Sequence, residues 1–293
     1  PRECNITQEW KINADLSPTA PKRVKESANT NLLYEFNRRI LMKLIDTYDY
    51  HAARTVAVLL RGLIQPEFME LLDAAILRSD AKFKDAQQKF RACGNENLMS
   101  GAVQTAEYFL LLDIYVKKEK YTDFLRAMTP FLLEILLAAV RTQFQMDMTR
   151  FMKPNSRTWD DRNQDLQNMI DLFDESSAYH AYPRPYKAKQ IRGFVTSADL
   201  SNIIENKANP AQQRQLVNDT LKLRQDVEEK IRNLAAHTMN GVSALDIQRA
   251  CSLGPMQLIT LMKKYVRNYT DIPLTDEFLQ SYQVMNDKLK SYL

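Results

Sequence analysis

Six glycines in 293 residues, at positions 62, 94, 101, 193, 241 and 254, constrain this chain more than any motif it carries. They amount to about 2 % where ~7 % is usual, and no two lie closer than seven residues apart. A Walker loop or a GxGxxG turn needs clustered glycines so that backbone can approach phosphate closely. Neither turn can form here, and the nucleotide-binding α/β enzymes are excluded.

Helical periodicity takes their place. Leu32, Leu33, Phe36, Ile40, Leu41, Leu44 and Ile45 recur at i, i+3/i+4 and i+7, one apolar stripe of an amphipathic helix. Tyr50–Arg61 and Pro66–Arg78 repeat the pattern, with breaks at Gly62 and Pro66, and Asp80–Arg91 adds a fourth helix. A second block follows. Ala102–Val116 and Pro130–Phe144 are strongly apolar, the latter with Thr129 placed to cap a helix that Pro130 opens. Asn209-Pro210 offers a similar start to a long helix reaching Thr238 through Leu216, Leu223, Val227, Ile231 and Leu234. Pro255–Asn268 and Thr275–Tyr292 close the chain. Residues 1–30 and Lys153–Asp165 are aperiodic, Pro183 and Pro185 interrupt Tyr179–Ser197, and the one strand candidate is Gln190–Thr196. The expected fold is all-α, with a linker or remnant segment over 1–30 and two helical domains over 31–98 and 99–293.

With 40 Lys+Arg against 36 Asp+Glu, the net charge of +4 leaves only local basic patches to seek. Cys4, Cys93 and Cys251 are scattered and odd in number, as reduced cytosolic thiols are. The longest apolar run, Phe131–Val140, contains Glu134 and is half a membrane span. The first residues lack a signal-peptide layout, and the chain begins without Met. A cytoplasmic protein missing an N-terminal part, with no membrane partner, is expected. His51, His180 and His237 have no second ligand at metal-binding spacing, so no metal or other cofactor is expected.

Chemistry concentrates in Arg232-Asn233-Leu234-Ala235-Ala236-His237. On a helix Asn233 and His237 share a face. Arg232 and His237 lie five apart, about 140° round the axis and about 7.5 Å along it. One straight helix cannot aim both at one phosphate; a kink or a second copy of the helix would. Arg presents a planar, permanently charged fork to phosphate oxygens, and His moves protons near neutrality. RNA brings its own nucleophile, the 2′-OH, so such a site needs no metal. The competing reading leaves Arg232 in a surface ion pair with Glu228, four residues earlier, and His237 as a helix-end histidine near the C-terminal dipole.

The six-residue segment resembles the R-x4-6-H signature of HEPN ribonucleases, including a polar residue after the Arg. Asn31-Leu32-Leu33-Tyr34-Glu35-Phe36-Asn37 and Asp46-Thr47-Tyr48-Asp49-Tyr50-His51 resemble the helical linker of the type III-A CRISPR-associated auxiliary ribonucleases. Ala106-Glu107-Tyr108-Phe109-Leu110 resembles the opening of their HEPN domain. The resemblance implies a helical linker over 31–98 and a HEPN bundle over 99–293 that dimerises through the bundle. It implies a metal-independent endoribonuclease acting in antiviral defence on single-stranded RNA at a composite homodimer site. Arg232 and His237 match the catalytic pair, and Asn233 the supporting polar position. The family also carries a CARF domain that binds cyclic oligoadenylate and activates the nuclease. Residues 1–30 are too short to be one, so activator binding is expected only of a form that has that domain.

Two stretches combine basic and aromatic residues, as single-strand binders do. Arg184, Lys187, Lys189 and Arg192 interleave with Tyr179, His180, Tyr182 and Tyr186, without a carboxylate between Glu175 and Asp199. Arg249, Lys263, Lys264 and Arg267 accompany Tyr265 and Tyr269 between Asp246 and Asp271. A non-catalytic helical module, binding RNA or assembling with a partner, remains the alternative function.

Overall fold

The computed structural model describes residues 19–60, 62–99, 104–160, 162–166, 193–231, 234 and 241–293, with side chains from residue 32 onward. Within them the chain is all-α: the β pairing among the described residues is confined to two isolated bridges, Met152 with Trp159 and Thr158 with Phe194. No helix among the described residues is long and apolar enough to cross a membrane. The chain divides into two compact units, residues up to 100 with Ser281–Leu293, and Gly101–Gln280.

The first unit contains α1 (Thr19–Asp46), α2 (Tyr50–Leu59), α3 (Pro66–Ser79) and α4 (Phe83–Ala92). Leu41, Ile45, Ala53, Ala57, Phe68, Leu71, Leu72 and Phe90 form its dry interior, each 0 % exposed. Asp49 caps α2 through its carboxylate, and Pro66 opens α3 where a missing N–H costs nothing. The C-terminal helix Ser281–Lys290 packs in this unit against α1 and α3. Its stripe of Tyr282, Met285 and Leu289 is buried there, and polar bonds fix the register. Tyr50 donates its hydroxyl to Asn286 Oδ1 at 2.7 Å, and Asn286 Nδ2 donates to the Ile45 carbonyl at 2.9 Å. Arg78, 0 % exposed, donates to Ser281 Oγ at 2.7 Å and lies 4.0 Å over the Tyr282 ring. Buried polar groups of this kind must be paired, and these are.

The second unit is built on α5 (Gln104–Lys117) and α6 (Tyr121–Phe144), joined by a tight turn at Glu119 (φ 55°). Around them lie α7 (Ser197–Lys207), α8 (Arg214–Leu221), α9 (Ala244–Cys251), α10 (Pro255–Tyr269) and the short α11 (Asp276–Leu279); Ser281–Lys290 is α12. One apolar core runs from Phe109 and Leu112 through Phe124, Phe131 and Ile135. It continues to α7, where Leu200 and Ile204 are buried, and to Leu258 and Met262 on α10.

Three helix starts differ from expectation. The first helix begins at Thr19, inside the stretch 1–30 read as aperiodic. Pro130 does not open a helix: α6 begins nine residues earlier and runs through it. An interior proline removes one hydrogen bond and crowds the carbonyl four residues back. Here Phe124, Leu125 and Met128 before it, and Phe131, Leu132 and Ile135 after it, are buried in the same core, so packing outweighs that cost. Asn209-Pro210 forms a turn, with Asn209 Oδ1 accepting from the Ala211 N–H at 2.9 Å. The helix proper starts at Arg214. By contacts, α12 groups with the first unit. Of the expected strand Gln190–Thr196, residues 190–192 lie outside the described residues.

Candidate active site

The helix that leads to the Arg232 segment is pinned at its base. Asp219 accepts from Tyr269 at 2.8 Å and from Gln215 at 2.9 Å, while the Thr220 and Tyr265 hydroxyls meet at 2.8 Å. Burial pushes both tyrosine hydroxyls to pKa values above their ordinary range, so both stay neutral. Tyr265, which the sequence offers as a partner for RNA bases, is 1 % exposed and serves this anchor instead.

Above the anchor the helix widens. Lys222–Glu228 is π-helical, and the Glu229 N–H donates to the Arg224 carbonyl, five residues back. Such widened turns are rare and often accompany functional sites. Leu223, Val227 and Ile231 face the core, each 0–1 % exposed, and Leu234 packs against it from within the six-residue segment. Downstream, the Val242 N–H donates to Thr122 Oγ1 at 3.2 Å, and Ser243 caps α9 in a reciprocal box with Asp246. The Ser243 hydroxyl bond holds the Asp246 carboxyl below its usual pKa. Described, core-bound residues thus bracket the segment on both sides.

Glu228 corrects the sequence reading that places it at the surface as an ion-pair partner. It is 5 % exposed and accepts from Ser197 Oγ at 2.5 Å. Ser197 opens α7, whose N-terminus is closed by a Thr196–Asp199 capping box. Asp199 also accepts from the indole N–H of the buried Trp159 at 3.2 Å. Sequence reasoning misses Ser197 and Asp199 altogether, because nothing local marks a contact spanning 31 residues.

Arg232, Asn233 and His237 lie outside the described residues, as do Arg184, Lys187, Lys189, Arg192 and His180. Lys263 and Lys264 are on α10. Lys264 is exposed, whereas Lys263 lies 3.7 Å from Asp276, which also takes Arg267 at 2.6 Å. That carboxylate comes from the next helix, beyond the acid-free window seen in sequence. His51 pairs with Asp80 at 2.9 Å in the first unit. Among the described residues no cluster of three or more His, Cys, Asp or Glu could hold a metal ion.

Comparison with known proteins gives this arrangement a context. Residues 96–290 match the Cas_Csm6 HEPN domain, and residues 27–79 match the CRISPR-associated protein Csm6 6H domain. The CRISPR system endoribonuclease Csm6 of Mycobacterium tuberculosis is 26 % identical over 258 residues, covering 87 % of this chain and 56 % of that protein. The structure of Enterococcus italicus Csm6 bound to cyclic hexa-2′-fluoro-hexa-dAMP superposes with a TM-score of 0.62 at 13 % identity, over 96 % of this chain and 65 % of that one. This chain therefore spans little more than half the length of its curated relative. The HEPN match covers most of the chain and contains Arg232, Asn233 and His237: the chain belongs to the Csm6 HEPN-domain family.

Proposed function

We propose that this chain is a metal-independent endoribonuclease that cleaves single-stranded RNA by 2′-OH attack. The 2′ oxygen forms a bond to phosphorus as the bond to the 5′ oxygen breaks, leaving a 2′,3′-cyclic phosphate and a 5′-OH. Arg232 neutralises charge building on the phosphoryl oxygens, His237 moves a proton, and Asn233 orients. The site is composite, formed by two copies of the chain. The observation that carries this reading is the Arg232–His237 sequence segment, flanked in the chain by buried Ile231 and Val242 and lying inside the HEPN match. The name of the Mycobacterium tuberculosis relative, an endoribonuclease, supports it. The cyclic ligand bound to the Enterococcus italicus relative supports activation by cyclic oligoadenylate in a form that also carries a CARF domain. The setting is cytoplasmic type III CRISPR antiviral defence, with a linker domain over 31–98 and the ribonuclease domain over 99–293.

The test is cleavage of a fluorescent, unstructured RNA in excess EDTA. Wild type cleaves; Arg232→Ala and His237→Ala lose at least about 10²-fold, the usual contribution of positioned proton transfer, with unchanged elution volume. Strict Mg²⁺ dependence overturns the mechanism. A monomeric sedimentation profile at micromolar concentration overturns the composite site.

A further inference from the structure

Phe194 is 76 % exposed. Lone exposed apolar residues are ordinary on protein surfaces, but the backbone on both sides of this one is hydrogen-bonded. Gly193 bends the chain at φ +94°, a conformation that favours glycine. Its carbonyl accepts from the Trp159 N–H at 3.0 Å, and the Val195 N–H donates to the Arg157 carbonyl at 2.7 Å. Thr158 and Phe194 face each other in an antiparallel bridge between those bonds. Side chains alternate across extended backbone, so burying Trp159 (1 %) and Val195 (4 %) turns Phe194 outward.

The mount also joins the candidate active site. Three residues on, Ser197 bonds Glu228, and Arg232 follows Glu228 by four residues. Those chain lengths reach at most about 11 Å and about 14 Å, the scale of a few nucleotides.

We propose that Phe194 is a stacking platform for an unpaired base of the RNA strand. This rests on the single-stranded RNA reading above. Aromatic faces accept any base, while the backbone phosphates seek positive charge; the sequence from Glu175 to Asp199 supplies Arg and Lys without a carboxylate between them.

The experiment is fluorescence anisotropy of the 293-residue chain carrying His237→Ala, with a labelled ten-nucleotide single-stranded RNA. Phe194→Ala weakens binding about tenfold, and Phe194→Trp restores or tightens it. An RNA with one abasic position placed at the platform binds both chains equally. Equal affinity of the Ala variant and its parent for the intact RNA overturns the proposal, as does equal weakening by Ala and Trp. Phe194-dependent binding without cleavage, both by the wild type at high concentration and by an activated form that carries the CARF domain, sinks the ribonuclease reading and leaves the platform standing.

Discussion

Ser197 Oγ and the Glu228 carboxylate meet at 2.5 Å, joining the first turn of α7 to the helix that leads into Arg232. Glu228 is 5 % exposed, so its carboxyl oxygens depend on such donors in place of water. Ser197→Ala removes this one. The expected cost is about 1–3 kcal/mol, lowering the melting temperature by about 2–4 °C per kcal/mol for a unit of this size. Cleavage falls with it, and Ser197→Thr, which keeps the hydroxyl, recovers both. An unchanged melting curve for the Ala variant would show that the bond contributes nothing.

Pro130 gives a second prediction. It is exposed within α6, so Pro130→Ala restores an interior N–H and relieves crowding at the Arg126 carbonyl. Interior proline costs about 3 kcal/mol relative to Ala, offset by about 0.4–1 kcal/mol of added freedom in the unfolded chain. The variant should melt higher, read by circular dichroism; a lower melting temperature would mean that the proline ring itself is needed for packing.

Proline also shows how far sequence reaches. The stripe Leu32–Ile45 and the proline start at Pro66 are local patterns, and the helices follow them. Pro130 and Asn209-Pro210 carry the same local start signal, yet one lies inside a helix and the other in a turn, because burial on both sides of Pro130 decides between them. Glu228 reads as a surface residue until α7 covers it. Lys263 and Arg267 read as free of acids until Asp276 arrives from the next helix. The six-residue segment is legible because its chemistry is compressed into one short stretch; its supports are not, since they come from distant residues.

Asn286 allows a double-mutant test. Its amide oxygen accepts from the buried Tyr50 hydroxyl, and the Ile45 carbonyl that it serves also accepts from the Tyr48 N–H at 3.0 Å. Asn286→Leu strands the Tyr50 hydroxyl, at about 1–3 kcal/mol. Adding Tyr50→Phe removes the stranded group and recovers part of that loss. Urea unfolding of the four chains measures the coupling; additive losses would show that the two side chains act independently.

Lys290 binds Asp46 at 2.7 Å and Asp287 at 3.0 Å, tying α12 to α1. Hydrogen bonding to Asp46, then to Asp287, raises the Lys290 pKa, and the bond from Lys290 lowers that of Asp287. The raised lysine stabilises fully below its unfolded value of about 10.4 and loses that contribution as pH climbs through the higher folded value. The depressed carboxylate stabilises above its unfolded value of about 3.9 and loses that contribution as pH falls through the lower folded value. The contribution of this cluster should therefore be flat from about pH 5 to about pH 9 and decline at both extremes. Lys290→Met removes both limbs, so the difference in melting temperature between variant and wild type should be largest on the plateau and shrink toward acid and alkali. A difference that stays constant from about pH 3 to about pH 11 would assign the effect of Lys290 to packing of its methylene stem rather than to its charge.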